Sequence, residues 1–177
     1  MQLLARVALP EPAASTLALR QPQFMVMRCV NLAFGLGLVL PLLARSQPFS
    51  RAPLGLRVPL TAGELSRGHH LLVVEGTQPV GYLGWAACTL DQGRRYLGPE
   101  GIRALDQTAI EGEAIALQTV AALSPAASSI LRTAMRALHP GSPYFGRRVS
   151  GTGPQDANRI ARQGIIRPLA GAAADGA

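Results

Sequence analysis

The stretch HLLVVEGTQPVGYLGWAACTL, residues 70–90, constrains the fold more than any other part of the chain. Two apolar runs flank a short turn at Gly76-Thr77, which is the pattern of a β-hairpin. Alternation in the second run is imperfect, as expected for a strand that is covered on both faces. Gly81 and Gly84 in that run leave room for a close neighbour or a bulge. The sequence therefore predicts a hairpin inside a covered sheet.

The other segments predict helices packed on that sheet. Residues 25–45 are apolar enough to form one helix, residues 115–123 could be a strand or a helix, YFGRRVS predicts a strand, and PQDANRIARQGI predicts a short basic helix. The clearest helix signal is SPAASSILRTAMRALHPG, because Ser124 is a good N-cap and Pro125 fits the first helical position. The order of these elements predicts an α/β fold with a mixed sheet.

The chain boundaries leave alternatives open. An arginine followed by an apolar run after Met25 is also the pattern of a signal peptide. As a membrane span, residues 29–43 are short. We favour a buried helix. Residues 1–24 are expected to form a loose extension, with Met25 or Met27 as alternative starts. The folded domain is expected over residues 25–167 and a disordered tail over residues 168–177.

The charge is positive and unevenly placed. The net charge is +7, and all 17 basic residues are arginine, which excludes mechanisms that need a Schiff-base or P-loop lysine. Between residues 132 and 167, seven arginines stand against one acid, Asp156. This segment predicts an acidic partner, such as nucleic acid, an anionic membrane or an acidic carrier protein; the alternative is a solvated face. Cys29 and Cys88 lack metal-site spacing, so we expect free thiols.

The junction VAALSPAASSILR carries the strongest candidate binding site. A strand that runs into a helix through small residues exposes backbone N–H groups at the positive end of the helix dipole, where anions bind. The candidate residues are Ser124, Ala126, Ala127 and Ser128, although Ser-Pro capping is common without a ligand. A lone tryptophan on such a strand is usually a core residue. Alternatively, Trp85 lines an acyl or pantetheine channel together with the neighbouring glycines.

Residues suited to nucleophilic catalysis are few. The sequence has no GxSxG motif, and neither cysteine has an obvious histidine partner. His139 closes a helix, and His70 on a strand is more often structural than catalytic. Glu111 and Glu113 flank an apolar segment, where they form either a buried base or a solvated surface pair.

The hairpin resembles the central segment of the RTX toxin-activating lysine acyltransferase family. The matching residues are Pro79, Val80, Gly81, Tyr82, Trp85, Ala86, Tyr96 and Leu97. The later stretch VAALSPAASSILRTAMRALHPGSPYFGRRV looks like the family's strand, loop, helix and following strand, which here ends in Arg148 and Val149. The resemblance covers roughly residues 31–149 and is closest in the hairpin.

The resemblance implies an N-acetyltransferase-like (GNAT-like) fold, a cytoplasmic location, and transfer of a fatty acyl group from acyl carrier protein to a lysine of a protoxin. It implies no permanently bound cofactor, since the donor is the acyl-phosphopantetheine of the carrier. The family's catalytic His and Asp fall at Ser50 and Gln118 here. Since neither residue is a base at neutral pH, Glu113 or His70 would have to replace the histidine, or proximity and an oxyanion site would suffice.

Three functional interpretations follow. The first is a protein-lysine acyltransferase whose carrier docks on a set of arginines. Those residues are Arg132, Arg136, Arg147 and Arg148. The second is a catalytically inactive homologue that only binds. The third is an arginine-rich nucleic-acid binder, which is disfavoured because no recognition motif for nucleic acid is present.

Overall fold

The computed structural model describes residues 2–5, 23–150 and 158–167; the side chains of residues 2–5, 148–150 and 158–161 are left undescribed. Most of the predicted N-terminal extension, residues 6–22, lies outside the described residues, and so does the whole predicted tail, residues 168–177. The strands are β1 Gln2–Ala5, β2 Phe24–Arg28, β3 His70–Glu75, β4 Gln78–Cys88, β5 Ala114–Ala122, β6 Pro143–Ser150 and β7 Asn158–Ile165. The α-helices are α1 Leu32–Arg45, α2 Leu54–Ser66, α3 Leu90–Leu97 and α4 Pro125–Leu138, with short 3-10 helices at Phe49–Arg51 and Gly101–Ala104.

The seven strands form one mixed sheet whose spatial order follows the chain, from β1 to β7. Every neighbouring pair is antiparallel except β5 and β6, which are parallel. Because parallel neighbours need a crossover, α4 connects β5 to β6 over one face of the sheet. This one parallel pair places the end of β5 beside the start of α4.

Helices cover both faces of the sheet. On one face, α4 buries Ile130, Leu131 and Met135 against β3, β4 and β5. On the other, α1 buries Val39 and Leu42 against the same sheet, and α2 and α3 pack on that side. This three-layer arrangement explains why β3 and β4 lack clean alternation, because each of their faces is covered.

Several predicted elements are confirmed. The hairpin of β3 and β4 turns at Gly76, whose φ of 61° lies in the left-handed region that glycine tolerates. Residues 115–122 belong to strand β5, so the segment that could be a strand or a helix is a strand. Helix α4 begins with Ser124 as N-cap and Pro125 in its first turn, as predicted. Both cysteines are free and buried.

Two predicted helices are wrong. Residues 25–45 are not one helix, because β2 occupies the first part and pairs with β3, and α1 begins only after Asn31. The side chain of Asn31 accepts a hydrogen bond from the Phe34 N–H, which marks the true start of α1. The predicted basic helix in PQDANRIARQGI is strand β7, which pairs with β6 along its whole length.

Within the described ranges, no helix combines the length and the hydropathy that crossing a membrane requires.

Candidate functional site

A cleft lies beside the part of β5 that no longer pairs with β6. The two strands pair only from Ile115–Tyr144 to Leu117–Gly146, although β5 continues to Ala122. Beyond Leu117, the edge of β5 that faces β6 therefore has no described strand partner. The cleft beside this edge has a volume of about 630 Å³. Its lining residues are Arg45, Ser46, Gln47, Val120, Ala121, Ala122, Leu123, Ser124, Pro125 and Ser128.

The amino-terminal end of α4 forms one wall of the cleft. The Ser124 hydroxyl accepts a hydrogen bond from the Ala127 N–H at 3.2 Å, and the Ser124 carbonyl accepts from the Ser128 N–H at 3.1 Å. Pro125 has no N–H. The positive end of the helix dipole nevertheless faces the cleft. Of the predicted anion-site residues, Ser124 and Ser128 line the cleft.

The other two predicted anion-site residues do not line it. Ala127 is fully buried in the core beneath α4, and the side chain of Ala126 is exposed. Ala127 instead lets α4 approach β4, since a Cβ built at Gly81 would lie 3.4 Å from the Ala127 Cβ. The small residues at this junction thus serve helix packing as well as the cleft.

Two arginines add positive charge at the rim. Arg45, in the last turn of α1, lines the cleft directly. Arg132, one turn along α4, donates a hydrogen bond to the Ser128 hydroxyl at 2.8 Å. These cations and the α4 dipole make this end of the cleft suited to a phosphate or another anion.

The floor of the cleft is apolar and accessible. Two large hydrophobic residues are accessible there: Val120, near the end of β5, is 48% exposed, and Leu123, just after the strand, is 42% exposed. Apolar surface beside a cationic rim fits a ligand with an anionic end and a less polar arm.

Strand β5 bulges immediately before the cleft. Thr119 pairs with Gly84 and Leu117 pairs with Trp85, so Gln118 between them has no partner on β4. Bulges of this kind re-aim side chains and occur often beside active sites. The Gln118 amide donates to the Gln107 side chain at 3.2 Å, and its own oxygen is buried without a partner among the described residues.

The two positions aligned with the family's catalytic pair lie close to the cleft in sequence. Ser50 is exposed on the 3-10 helix at Phe49–Arg51, and its N–H donates to the carbonyl of Ser46, which lines the cleft. Gln118 lies two residues before the lining residue Val120. Neither residue supplies a group that accepts a proton at neutral pH.

Glu113, the alternative base, lies elsewhere. It is exposed just before β5 begins, and its carboxylate accepts a hydrogen bond from the Leu90 N–H at 3.2 Å. Residues 114–119 of β5 lie between it and the first lining residue, Val120, a span of roughly 23 Å at the usual rise of a strand. Glu111 is exposed as well, so the solvated surface pair is the alternative that the structure supports.

Trp85 and the glycines beside it do not line the cleft, contrary to the predicted acyl channel. Trp85 is 2% exposed and belongs to the core under α4. A Cβ built at Gly81 would lie 3.2 Å from Leu131, and one built at Gly84 would lie 2.2 Å from the carboxyl of Glu64. Neighbouring side chains fill the space that these glycines leave.

Sequence reasoning missed Glu64, a fully buried carboxyl group on α2. Tyr82 and Thr119 donate hydrogen bonds to its two oxygens at 2.8 and 2.9 Å. Desolvation by burial raises the pKa of Glu64 to about 8, although these hydrogen bonds and the positive charges of Arg57 and Arg67 oppose the shift. The one sequence signal that could have pointed to a buried group here is Gly84, because a glycine inside a strand leaves room for a close neighbour.

His70 is a structural residue. Its Nε2 accepts a hydrogen bond from the Cys29 N–H at 2.8 Å, and the side chain is fully buried. Burial lowers its pKa to about 4. Because that hydrogen bond occupies the lone pair of a neutral imidazole, His70 has no free atom with which to accept a proton from a substrate.

Comparisons with known proteins assign neither a family nor a function to this chain. No protein-family model matches the chain, and no curated protein matches it. An N-acetyltransferase from Staphylococcus aureus Mu50 aligns over 80% of this chain and 99% of its own, at 9% sequence identity and a TM-score of 0.41. The strands and helices described above form an α/β fold with a mixed sheet and packed helices, as predicted.

Proposed function

We propose that this chain is an acyltransferase that takes a fatty acyl group from acyl carrier protein and transfers it to a lysine amine of a protein. The observation that carries the proposal is the cleft between the free edge of β5 and the start of α4. Ligands of sheets with parallel strands bind at the carboxyl ends of those strands, which is where this cleft lies.

The donor fits the cleft by its chemistry. The phosphate of a phosphopantetheine arm would lie against the α4 dipole, with Arg45 and Arg132 nearby. The amides of the arm would meet the unpaired backbone edge of β5, and its carbon chain would cover Val120 and Leu123. A GNAT-like sheet is compatible with this placement.

The arginines of α4 are available for the carrier protein. Arg132 and Arg136 are exposed on α4. Arg147 is partly buried and donates to the Tyr96 carbonyl at 3.4 Å, and the side chain of Arg148 lies outside the described residues. The carrier is acidic, so Arg132 and Arg136 are the residues of the predicted set that we assign to docking. We place the reaction in the cytoplasm, where such a donor is found.

The reaction needs one proton to move. The lysine nitrogen attacks the thioester carbonyl carbon, a C–N bond forms and the C–S bond breaks. The proton lost by the amine balances the one gained by the departing thiolate. Free backbone N–H groups on the β5 edge would stabilise the oxyanion. Because Ser50 and Gln118 supply no base, proximity drives the reaction, and its rate rises with pH as more lysine is deprotonated.

Mass spectrometry tests the proposal. Carrier protein loaded with a long acyl chain is incubated with this protein and an acceptor that contains lysine. We expect the carrier to lose its acyl group and the acceptor to gain the same mass. Ser128→Phe, which fills the cleft, should abolish transfer, whereas Ser129→Phe on the exposed side of α4 should preserve it.

A second function, binding without catalysis, is favoured by one observation: the two aligned catalytic positions hold Ser50 and Gln118. In that case the carrier stays acylated and forms a complex that Ser128→Phe disrupts. If the carrier keeps its acyl group and also forms no complex with this protein, both functions are contradicted. The nucleic-acid interpretation loses support because Tyr82, Trp85 and Tyr96 are buried and cannot stack on bases, and among the described aromatic side chains Phe34 alone is exposed.

A further inference from the structure

Trp85 lies at the centre of a cluster of nitrogen-rich side chains that is separate from the cleft. The His69 ring stacks on the indole with a centroid distance of 5.7 Å, and the His139 ring meets it edge-on at 5.3 Å. The guanidinium of Arg28 lies 5.7 Å from the indole centroid. None of these four residues lines the cleft.

Each of the three polar side chains has a buried nitrogen without a partner among the described residues. These atoms are Arg28 Nε, His69 Nδ1 and His139 Nε2. The other ring nitrogen of His69, Nε2, lies 2.9 Å from the Ile110 carbonyl, and His69 is 8% exposed. Unpartnered polar atoms in a protein interior are costly and rare, and a bound water or ion commonly explains them.

The cluster has excess positive charge. The positive charge of Arg28 lowers the pKa of both His69 and His139, after the larger effect of their burial. Arg67 lowers the pKa of His69 further. Within the described part of the chain, no acidic side chain forms a salt bridge with Arg28. An anion would offset this charge.

We propose that Arg28, His69 and His139 form a binding site for a small carboxylate, with Trp85 as its apolar wall. The carboxylate would accept from Arg28 Nε–H and from the imidazoles, each of which takes up a proton before it donates. His139 is the C-cap of α4, where the helix dipole favours a positively charged imidazole. A carboxylate is a planar acceptor whose geometry matches the planar guanidinium of Arg28.

The chain's single tryptophan reports directly on this site. Sodium acetate is titrated into the full-length protein under slightly acidic conditions, with sodium chloride holding the ionic strength constant, and the fluorescence of Trp85 is recorded. We expect a saturable change, because acetate binds next to the indole and the stacked imidazole gains a proton. Sodium chloride alone should produce no saturable change.

Substitutions locate the response. Arg28→Gln removes the permanent charge, and we expect it to raise the acetate midpoint at least about tenfold. Arg94→Gln, on the exposed surface of α3, should leave the midpoint unchanged. If Arg28→Gln does not fold, His139→Gln replaces it, since His139 is only partly buried.

Three results would overturn the proposal. The first is the absence of a saturable response to acetate, which would mean that water or another part of the chain fills the site. The second is an acetate midpoint that neither Arg28→Gln nor His139→Gln changes. The third is a response to inorganic phosphate with none to acetate.

Discussion

Two neighbouring parts of β5 differ in how completely other elements cover them. Around Thr119, the strand is enclosed: α2 presses a carboxyl group against it, and each carboxyl oxygen receives a hydrogen bond. From the next residue to the start of α4, over residues 120–124, the edge that faces away from β4 is open and the side chains are small or exposed. The enclosed part fixes the shape of the strand, and the open part leaves backbone groups for a ligand.

The largest effect is expected where the enclosed part leaves no room. Gly84→Val would place a branched side chain where even a Cβ lies 2.2 Å from the Glu64 carboxyl. We expect a loss of more than about 4 kcal/mol in the free energy of unfolding, enough to prevent folding. Gly37→Val is the matched control, because nothing lies within 4 Å of a Cβ there. Urea unfolding measures both, and equal midpoints would contradict the packing described.

Glu64 is expected to make stability depend on pH. Burial raises its pKa from 4.5 to about 8, so the folded protein holds a proton that the unfolded chain releases between these values. This contribution is therefore fully present below pH 4.5 and is lost as the pH rises through about 8.

Glu64→Gln, which cannot ionise, should remove that loss. We expect the variant to exceed the wild type by about 5 kcal/mol in the free energy of unfolding at the alkaline end of the range, as a rise in the pKa of Glu64 from 4.5 to about 8 implies. Thermal and urea unfolding across the range measure the difference. Glu111→Gln, on the surface, should behave as the wild type. A variant that keeps the wild-type pH profile would show that Glu64 is already ionised when folded.

How far the sequence predicts this division depends on whether the signals are local. Ser124 and Pro125 announce the start of α4 by their own chemistry, so one wall of the cleft is predictable. The point at which β5 stops pairing with β6 depends on contacts between distant segments, and no local sequence pattern predicts it. The small-residue motif therefore located the cleft without showing which of its residues line it.

The errors have physical causes too. Pro59 lies inside α2, and because proline is unfavourable in a helix interior, the sequence does not indicate a helix there. Without that helix, the buried face that carries Glu64 cannot be predicted. Residues 158–165 have the composition of a helix, and only pairing with β6 makes them a strand. At the start of α1, by contrast, Asn31 is a recognisable N-cap that an apolar flank on both sides obscured.

A smaller effect is expected at the start of α4. Ser124→Ala removes the hydroxyl that accepts from the Ala127 N–H and should lower the free energy of unfolding by about 1 kcal/mol. Ser129→Ala, which removes a hydroxyl from the exposed side of α4, should change it by less than about 0.5 kcal/mol. Thermal unfolding compares the two variants. Equal melting temperatures would mean that the cap does not stabilise α4.

The smallest effect is expected from the exposed charge at the cleft rim. Arg45→Gln should weaken donor binding about threefold at low salt and leave stability unchanged, because an exposed ionic contact contributes little. Titration calorimetry at two salt concentrations should show the difference shrinking as salt rises. Arg94→Gln, remote from the cleft, should bind as the wild type does. A difference that grows with salt would rule out an ionic role for Arg45.

The central claim is that the open part of β5 holds the acyl donor, and one binding measurement tests it most directly. An unreactive analogue, acyl-phosphopantetheine with an amide in place of the thioester, is titrated into the wild type, Ser128→Phe and Ser129→Phe. We predict binding to the wild type and to Ser129→Phe, and an affinity at least about tenfold lower for Ser128→Phe, whose side chain fills the cleft. Equal affinity for all three proteins, or no binding to any of them, would contradict the account.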